Sequence, residues 1–202
     1  VTGVQTCALP ILRIISQATR VIAEGEVLQL SKVRDASTTE ETYMEVIRGK
    51  TAMLFEASTH SAAALCQAGE EQSEALRRFG DYLGIAFQLV DDLLDYRGDA
   101  ATLGKNVGDD LAEGKPTLPL IVTMRDGTEE QAALVRKAIQ QGGSQDLESV
   151  CAAVEAAGAL DYTANLARDY AARAIACLDT LPDNEYRSAL VELSEFAVAR
   201  TH

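Results

Sequence analysis

Helix boundary signals recur along the whole 202-residue chain, whereas strand signals are weak and the best strand candidate is the apolar run 118–124. Threonine followed three residues later by Glu or Gln, the capping box that opens many helices, occurs at Thr38/Glu41 and at Thr128/Gln131. Apolar residues then follow at helical spacing, and glycine or proline ends each run. The predicted helical stretches are 12–30, 39–68, 71–97, 144–158, 160–179 and a last helix capped by Asp183. The pattern predicts an all-α fold of about eight helices.

Composition narrows the classes of protein to which the chain can belong. Hydrophobic residues make up 47% and charged residues 24% of the sequence, which is typical of one globular domain. Acidic residues number 31 and basic residues 18, so the net charge of −13 argues against nucleic acid as a partner. Only two histidines are present, which disfavours histidine metal sites and Ser-His-Asp catalysis. No apolar run approaches the roughly 18 residues of a transmembrane segment.

The four cysteines are Cys7, Cys66, Cys151 and Cys177, and they form no CxxC pair. Three of them lie among apolar residues at helical spacing, where free cysteine is usually a small buried residue. We therefore expect reduced thiols in the core of a cytoplasmic protein.

The segment 87–95 carries most of the chemistry that the sequence suggests. At about 100° per residue, Gln88, Asp91, Asp92 and Asp95 fall along one stripe of a helix beside an apolar face. The three carboxylates repel one another and lie near the carboxyl end of the helix, where the helix dipole disfavours negative charge. A hard divalent cation such as Mg²⁺ would offset that cost. The alternative is a solvated acidic helix end.

The loop that follows, 104–116, contains three glycines, two lysines and the pair Asp109-Asp110. Lys105 and Lys115 are point charges suited to phosphate oxygens, and glycine lets the backbone approach a ligand closely. The alternative is a charged surface turn whose Lys–Asp pairs contribute little. Carboxylates for a metal, followed directly by lysines for phosphate, indicate a metal-bridged diphosphate site.

These segments closely resemble the second aspartate-rich region of the trans-polyprenyl diphosphate synthases. The matching stretches are FQLVDDLLD at 87–95, GKNVGDDL at 104–111, EGKPTLP at 113–119, IAEGEVLQL at 22–30 and the pair Lys50-Thr51. Among the subfamilies, the chain most resembles the bacterial octaprenyl diphosphate synthases, from about Leu12 to its end. The resemblance implies an isoprenoid synthase-type helical bundle, truncated at the N-terminus.

The resemblance also implies roles for individual residues. The metal-binding positions would be Asp91, Asp92 and Asp95, which form a DDxxD motif, together with Asp110; Asp91 is expected to bind Mg²⁺ directly. Lys50 and Thr51 would reach the allylic diphosphate from a facing helix, Gln88 would orient it or a metal-bound water, and Lys105 and Lys115 would neutralise it.

The implied reaction is a prenyl transfer. An allylic diphosphate would lose its diphosphate, and the double bond of isopentenyl diphosphate would attack the resulting cation, giving a long all-trans polyprenyl diphosphate. The octaprenyl product would serve the ubiquinone side chain. The resemblance further implies a cytoplasmic homodimer that contacts a membrane transiently when it releases product.

Two departures from the family shape the remaining expectations. Residues 1–11 match nothing in it, so we expect them to be a foreign, poorly packed segment ahead of a 12–202 portion of a synthase domain. The chain also has no DDxxD before Asp91, and we expect it to be inactive alone.

Three other interpretations are weighed. A terpene cyclase of the same fold usually carries a second metal motif of Asn, Ser/Thr and Glu, which this sequence lacks. A non-catalytic regulatory subunit of a prenyl synthase tends to lose the acidic motifs, whereas this chain keeps one. An acidic helical interaction module would show no stabilisation by Mg²⁺ with a diphosphate analogue.

Overall fold

All regular structure in the described part of the chain is helical. The computed structural model describes residues 2–97, 108–142 and 145–199, with the side chains from Leu9 onwards. The helices are α1 (Thr2–Lys32), α2 (Glu40–Ile47), α3 (Met53–Leu65), α4 (Glu70–Arg97), α5 (Asp109–Glu113), α6 (Leu118–Asp126), α7 (Glu129–Gln141), α8 (Leu147–Ala156), α9 (Ala159–Cys177) and α10 (Glu185–Ala199). A π turn, Arg48–Ala52, joins α2 to α3, and a 3₁₀ turn, Leu178–Thr180, follows α9. The predicted all-α fold is confirmed.

Helix α4 is the centre of the bundle. Its 28 residues span about 42 Å, and it packs most extensively against α3 on one side and α9 on the other. Its buried face includes Ile85, Leu89, Val90 and Leu93, none of which is accessible to solvent. These side chains form the main core together with residues of α2, α6, α7 and α9. The acidic stripe therefore lies on a helix that is fixed by packing on several sides.

The predicted helix 39–68 corresponds to α2, the π turn and α3 in unbroken succession. A π turn inserts one residue into a helix and often occurs at functional sites. Here it contains the predicted Lys50-Thr51 pair. The sequence pattern contains the helix but gives no sign of the insertion.

Helix starts were predicted with mixed success. The capping box of Thr128 and Gln131 is present as predicted. The other cap is shifted by one residue, because Thr39 is extended and its hydroxyl accepts the Thr42 N–H, whereas Thr38 is buried. The last helix is capped by Asn184 rather than by Asp183, since the Asn184 side chain accepts two backbone N–H groups. Ser144, predicted to open a helix, lies outside the described residues.

The segment 118–124 was the best strand candidate, and it is helical. Pro119 occupies the first turn of α6, where its missing N–H costs nothing. Thr123 inside this buried helix satisfies its hydroxyl by donating to the Pro119 carbonyl at 2.7 Å. The run is therefore a short buried helix of the core.

The inner face of α10 differs from the expected one. Helical periodicity predicts an inner face made of Tyr186, Ala189, Leu190, Leu193 and Ala197. Ala197 is buried as predicted, but Tyr186 is 74% and Leu193 is 49% exposed. Ser194 is buried in their place, with its hydroxyl donating to the Leu190 carbonyl. That local bond lets a polar side chain enter the core. A hydrophobicity pattern counts serine as polar and therefore assigns the buried face of the helix incorrectly.

The cysteines also depart in part from expectation. Cys151 and Cys177 are half-buried, as core thiols would be, but Cys66 at the end of α3 is exposed. No helix of the described chain combines the length and apolar character needed to cross a bilayer.

Candidate active site

A pocket of about 240 Å³ lies beside the carboxyl-terminal half of α4. Five elements contribute to its wall: α1, α2, the π turn, α4 and the stretch from α5 to Thr117. Among its lining residues are Lys50, Thr51, Gln88, Asp91, Asp92, Asp110 and Lys115. These predicted site residues come from positions up to 65 apart in the sequence, and the fold brings them to one cavity.

Lys50 and Thr51 of the π turn both line this pocket, and their side chains bind different helices. The Lys50 ammonium lies 2.8 Å from a carboxylate oxygen of Glu26 and also donates to the Gln29 side chain, both on α1. The Thr51 hydroxyl donates to Gln88 on α4 at 2.8 Å. One turn of backbone thus carries a cation and a hydroxyl that are held by two different helices.

Asp92 is the buried member of the acidic motif. It is 3% exposed, and both of its oxygens accept hydrogen bonds, one from the Tyr43 hydroxyl at 2.6 Å and one from the Gln88 amide at 2.7 Å. Because Gln88 also accepts from Thr51, a continuous chain of hydrogen bonds runs from Tyr43 through Asp92 and Gln88 to the π turn. Asp91 lies beside it and lines the pocket.

Asp95 takes a different position from the one expected. It does not line the pocket; its two oxygens accept the backbone N–H groups of Asp109 and Asp110, each at 3.1 Å. These are first-turn amides of α5, so Asp95 caps that short helix and fixes it to α4. Asp95 therefore affects the pocket indirectly, because it fixes the helix that places Asp110 in the pocket wall.

Lys115 lines the same pocket. Its ammonium is 3.0 Å from Asp110 and 2.7 Å from Glu113. Desolvation lowers the pKa of Lys115, but the hydrogen bonds to Glu113 and Asp110 outweigh this effect and leave the pKa above its ordinary value. Lys115 is therefore a permanent positive charge at the rim. Lys105, the other predicted lysine, lies outside the described residues.

Carboxyl groups cluster in and beside the pocket, and two of them have raised pKa values. Burial, together with the negative charge of Asp110, raises the pKa of Asp92 from 3.8 to about 7, although Tyr43 and Gln88 favour the ionised form. Burial raises the pKa of Asp95 to about 6, and Asp110 adds to that shift. A positive charge placed among these carboxylates would be stabilised by the same field.

The donor set fits a hard cation that retains other ligands. In the described residues no three His, Cys, Asp or Glu side chains converge closely enough to hold a metal by themselves. Asp91, Asp92 and Asp110 nevertheless offer oxygen donors to one cavity, which Lys50 and Lys115 also line. Mg²⁺ commonly binds through one or two carboxylates and completes its shell with water and phosphate oxygens.

Several residues of the site carried no signal that the sequence analysis detected. Tyr43, Glu26 and Gln29 touch the predicted residues from α2 and α1. Glu26 and Gln29 fall within the matched stretch 22–30, whose spacing of three residues puts both on one helix face. Tyr43 reads in the sequence as an ordinary core residue. Its hydrogen bond to Asp92, 49 residues away, is visible only in the fold.

Comparison with known proteins supplies the family. The sequence model of the polyprenyl synthetases, described as "Polyprenyl synthetase", matches residues 4–157, a range that includes residues 4–11 of the opening segment that the motifs left unmatched. This chain belongs to the polyprenyl synthetase family. The prediction from the aspartate-rich region is thereby confirmed.

Curated relatives of this polyprenyl synthetase chain include two bacterial enzymes. The octaprenyl diphosphate synthase of Escherichia coli (strain K12) is 52% identical over 194 residues, covering 96% of this chain and 60% of the relative. The all-trans-nonaprenyl-diphosphate synthase (geranyl-diphosphate specific) of Rhodobacter capsulatus is 50% identical over 191 residues, covering 94% and 58%. This chain thus spans about 60% of the length of the curated relatives that it matches.

Solved structures agree with the family assignment. A polyprenyl synthase from Caulobacter crescentus CB15, complexed with calcium and isoprenyl diphosphate, superposes with a TM-score of 0.91 at 44% identity, covering 99% of this chain and 62% of that one. A decaprenyl diphosphate synthase from Rhodobacter capsulatus gives a TM-score of 0.89 at 42% identity, with 96% and 60% covered. The isoprenoid synthase-type bundle that the resemblance implied is confirmed.

Proposed function

We propose that this chain is the diphosphate- and metal-binding part of a prenyltransferase that condenses an allylic diphosphate with isopentenyl diphosphate. The observation that carries the proposal is the single pocket in which carboxylates of α4 and α5 face Lys50 and Lys115. Membership of the polyprenyl synthetase family supports the same reaction.

Each residue of the pocket has a task that follows from its chemistry. Asp91, Asp92 and Asp110 would hold Mg²⁺. Asp95, the last residue of the DDxxD motif, is proposed as a further metal-binding position, and it also caps α5. When bound, Mg²⁺ would supply positive charge that stabilises the diphosphate as it leaves. Lys50 and Lys115 would bind diphosphate oxygens directly, and Lys105 would add a third cation from the loop.

Gln88 and Thr51 would orient the bound diphosphate rather than neutralise its charge. Thr51 donates a hydrogen bond of 2.8 Å to Gln88, and both residues line the pocket. The reaction needs no protein nucleophile, because the allylic C–O bond breaks as charge builds on the diphosphate and the electrons of the second substrate's double bond form the new C–C bond. The proton lost at the end goes to the released diphosphate.

The proposed product is a long all-trans chain, octaprenyl, destined for the ubiquinone side chain. The octaprenyl name of a 52% identical relative supports that length. A nonaprenyl synthase is nevertheless 50% identical and a decaprenyl synthase structure 42% identical. Sequence identity over this part of the chain therefore separates these lengths weakly, and product analysis decides among them.

We also propose a cytoplasmic homodimer with transient membrane contact during product release, as the family resemblance implies. The exposed apolar side chains of α1, among them Leu12, Ile15, Val27 and Leu30, provide a face for a second copy. Sedimentation at several protein concentrations tests the dimer.

Thermal melts of this chain test ligand binding directly. We expect Mg²⁺ and pyrophosphate together to raise Tm by several degrees, and either alone to do much less, because Mg²⁺ held by the carboxylates would supply positive charge to the phosphate oxygens. The variant Lys115→Met tests the role of the cation. It leaves the carboxylates intact and should remove most of the rise in Tm that pyrophosphate causes. Equal Tm values under all four conditions would favour a helical interaction module instead.

Activity is a separate question. We expect this chain alone to form no polyprenyl product from farnesyl and isopentenyl diphosphates with Mg²⁺, and the longer protein that contains it to form one. Product formed by this chain at the rate of the longer protein would overturn the first part of that proposal.

A further inference from the structure

The π turn 48–52 is held between two helices at positions that have no side chain. On one side, Gly49 faces Gly25 of α1, and the Gly49 Cβ position lies 3.4 Å from the Gly25 Cα. On the other side, Ala52 faces Gly84 of α4. Backbone therefore meets backbone on both flanks of the segment that bears Lys50 and Thr51.

Gly25 leaves no room for a side chain against the turn. A Cβ built on Gly25 would lie 2.7 Å from the Lys50 backbone nitrogen and 2.9 Å from the Gly49 carbonyl carbon. Both are backbone atoms, which cannot swing aside as the end of a flexible side chain does. A methyl group at this position must push the turn or α1 away.

Gly84 closes the opposite side in the same manner. A Cβ on Gly84 would lie 2.5 Å from the Ala52 Cα and 3.0 Å from the Ala52 Cβ. The two glycines belong to the same helices that hold the functional side chains of the turn. Lys50 binds Glu26 and Gln29 on α1, and Thr51 binds Gln88 on α4.

We propose that Gly25 and Gly84 are positioning residues that fix the π turn between α1 and α4, so that Lys50 and Thr51 reach the diphosphate pocket together. The ligand named here rests on the proposed function; the steric argument does not. An added methyl group would displace the turn by part of an ångström, and hydrogen bonds to bound phosphate weaken steeply with such a displacement.

Gly80 provides a matched control on α4. A Cβ on Gly80 would lie 2.5 Å from the Phe55 carbonyl oxygen and 2.7 Å from the Glu56 Cα, both on α3. The clash is as severe, but it involves α3 beyond the turn. All three glycines lie inside helices, so alanine adds the same helix propensity to each variant.

The experiment titrates pyrophosphate into this chain at millimolar Mg²⁺ by calorimetry, for the unmutated chain and for Gly25→Ala, Gly84→Ala and Gly80→Ala. Overpacking should lower the Tm of all three variants by roughly 2–12 °C. We expect Gly25→Ala and Gly84→Ala to weaken pyrophosphate binding at least tenfold and Gly80→Ala less than twofold. Equal weakening in all three, or none in the first two, would overturn the proposal.

A double variant separates positioning from general damage. In a Lys50→Met background the turn has already lost its ammonium, so Gly25→Ala should weaken binding by far less than the tenfold expected in the unmutated background. A full tenfold further loss would show that Gly25 acts through other groups.

Hydrogen exchange of the amides of residues 48–52 provides a readout that needs no ligand. Exchange should accelerate in Gly25→Ala and Gly84→Ala and stay unchanged in Gly80→Ala. If the unmutated chain fails to bind pyrophosphate with Mg²⁺, the proposed function fails, and exchange alone then decides the glycine proposal. Unchanged exchange in the first two variants would overturn it.

Discussion

Helix α4 carries charged side chains at both ends, and their surroundings are opposite in kind. Near its start, Glu74 binds Arg77 at 2.7 Å and Arg78 at 2.8 Å, and Arg77 also binds Glu56. Near its end, Asp92 is buried, and it accepts hydrogen bonds from two neutral donors, Tyr43 and Gln88.

The pKa values report this difference. The hydrogen bond from Arg77 lowers the pKa of Glu74 from 4.5 to about 2. Burial and the charge of Asp110 raise the pKa of Asp92 from 3.8 to about 7. The first end is neutralised within the protein and stabilises the fold, whereas the second end holds negative charge that a bound cation would neutralise. The comparison favours a structural role for the first acidic cluster and supports the proposed ligand-binding role of the second.

The largest predicted effect comes from Asp91→Ala in the longer, catalytically complete protein. Turnover should fall by several orders of magnitude, since one transition-state charge contact is commonly worth about 10²–10³ in rate and a lost metal would cost more. Product formation from farnesyl and isopentenyl diphosphates measures it. Glu74→Ala is the control at the other end of α4 and should retain turnover. Near-normal turnover of Asp91→Ala would remove that residue from the site.

A smaller effect is expected for Tyr43→Phe, which deletes one hydroxyl donor to Asp92. Residues that orient metal ligands typically change metal affinity or activity by about 10–100-fold. The Mg²⁺ concentration that gives half-maximal pyrophosphate binding should rise by that factor. Tyr96→Phe is the control, because the Tyr96 hydroxyl is buried like that of Tyr43 but bonds to Thr117. Equal effects of the two variants would show a structural role for both hydroxyls.

Asp92→Asn should separate function from stability. At pH 8 without metal the variant should melt several degrees above the unmutated chain, since it removes a buried charge. Because the folded pKa of Asp92 is raised, its ionisation destabilises the fold as pH rises from about 4 towards 7. The gain should therefore vanish near pH 4, and pyrophosphate binding with Mg²⁺ should weaken. A lower Tm at pH 8 would show that the carboxylate stabilises the fold.

Glu74→Gln should show the opposite dependence on pH, with the smallest magnitude. The folded pKa of Glu74 is lowered, so its pairing stabilises the fold above pH 4.5 and is lost as pH falls towards 2. Partly exposed pairs contribute about 0.2–1 kcal/mol each. Urea unfolding at pH 7 should reveal a loss of that order, shrinking in acid. A loss that persists unchanged at pH 2.5 would contradict the assignment.

Helical periodicity allowed much of the fold and part of the site to be predicted. It placed Gln88 and Asp91 on one face, and both line the pocket with Lys50. Periodicity failed where local hydrogen bonds replace burial, as for Ser194 in α10. It also could not place Asp95, because the bonds of that carboxylate go to amides of a helix that follows a loop.

Other features depend on tertiary contacts alone. The π turn forms where Gly25 and Gly84 let two helices approach the same backbone, and each glycine by itself is an ordinary helix residue in the sequence. Tyr43 shows its polar partner only after α2 has packed on α4. The roles of these residues depend on neighbours that are distant in the sequence.

We propose that the carboxyl-terminal end of α4, and not its start, binds Mg²⁺ together with diphosphate. The most direct measurement is a calorimetric titration of Mg²⁺ into this chain in the presence of pyrophosphate, for the unmutated protein, Asp91→Asn and Glu74→Gln. We expect saturable Mg²⁺ binding to the unmutated protein, with the same binding in Glu74→Gln and none in Asp91→Asn. Binding that survives Asp91→Asn, or that disappears in Glu74→Gln, would contradict the proposal.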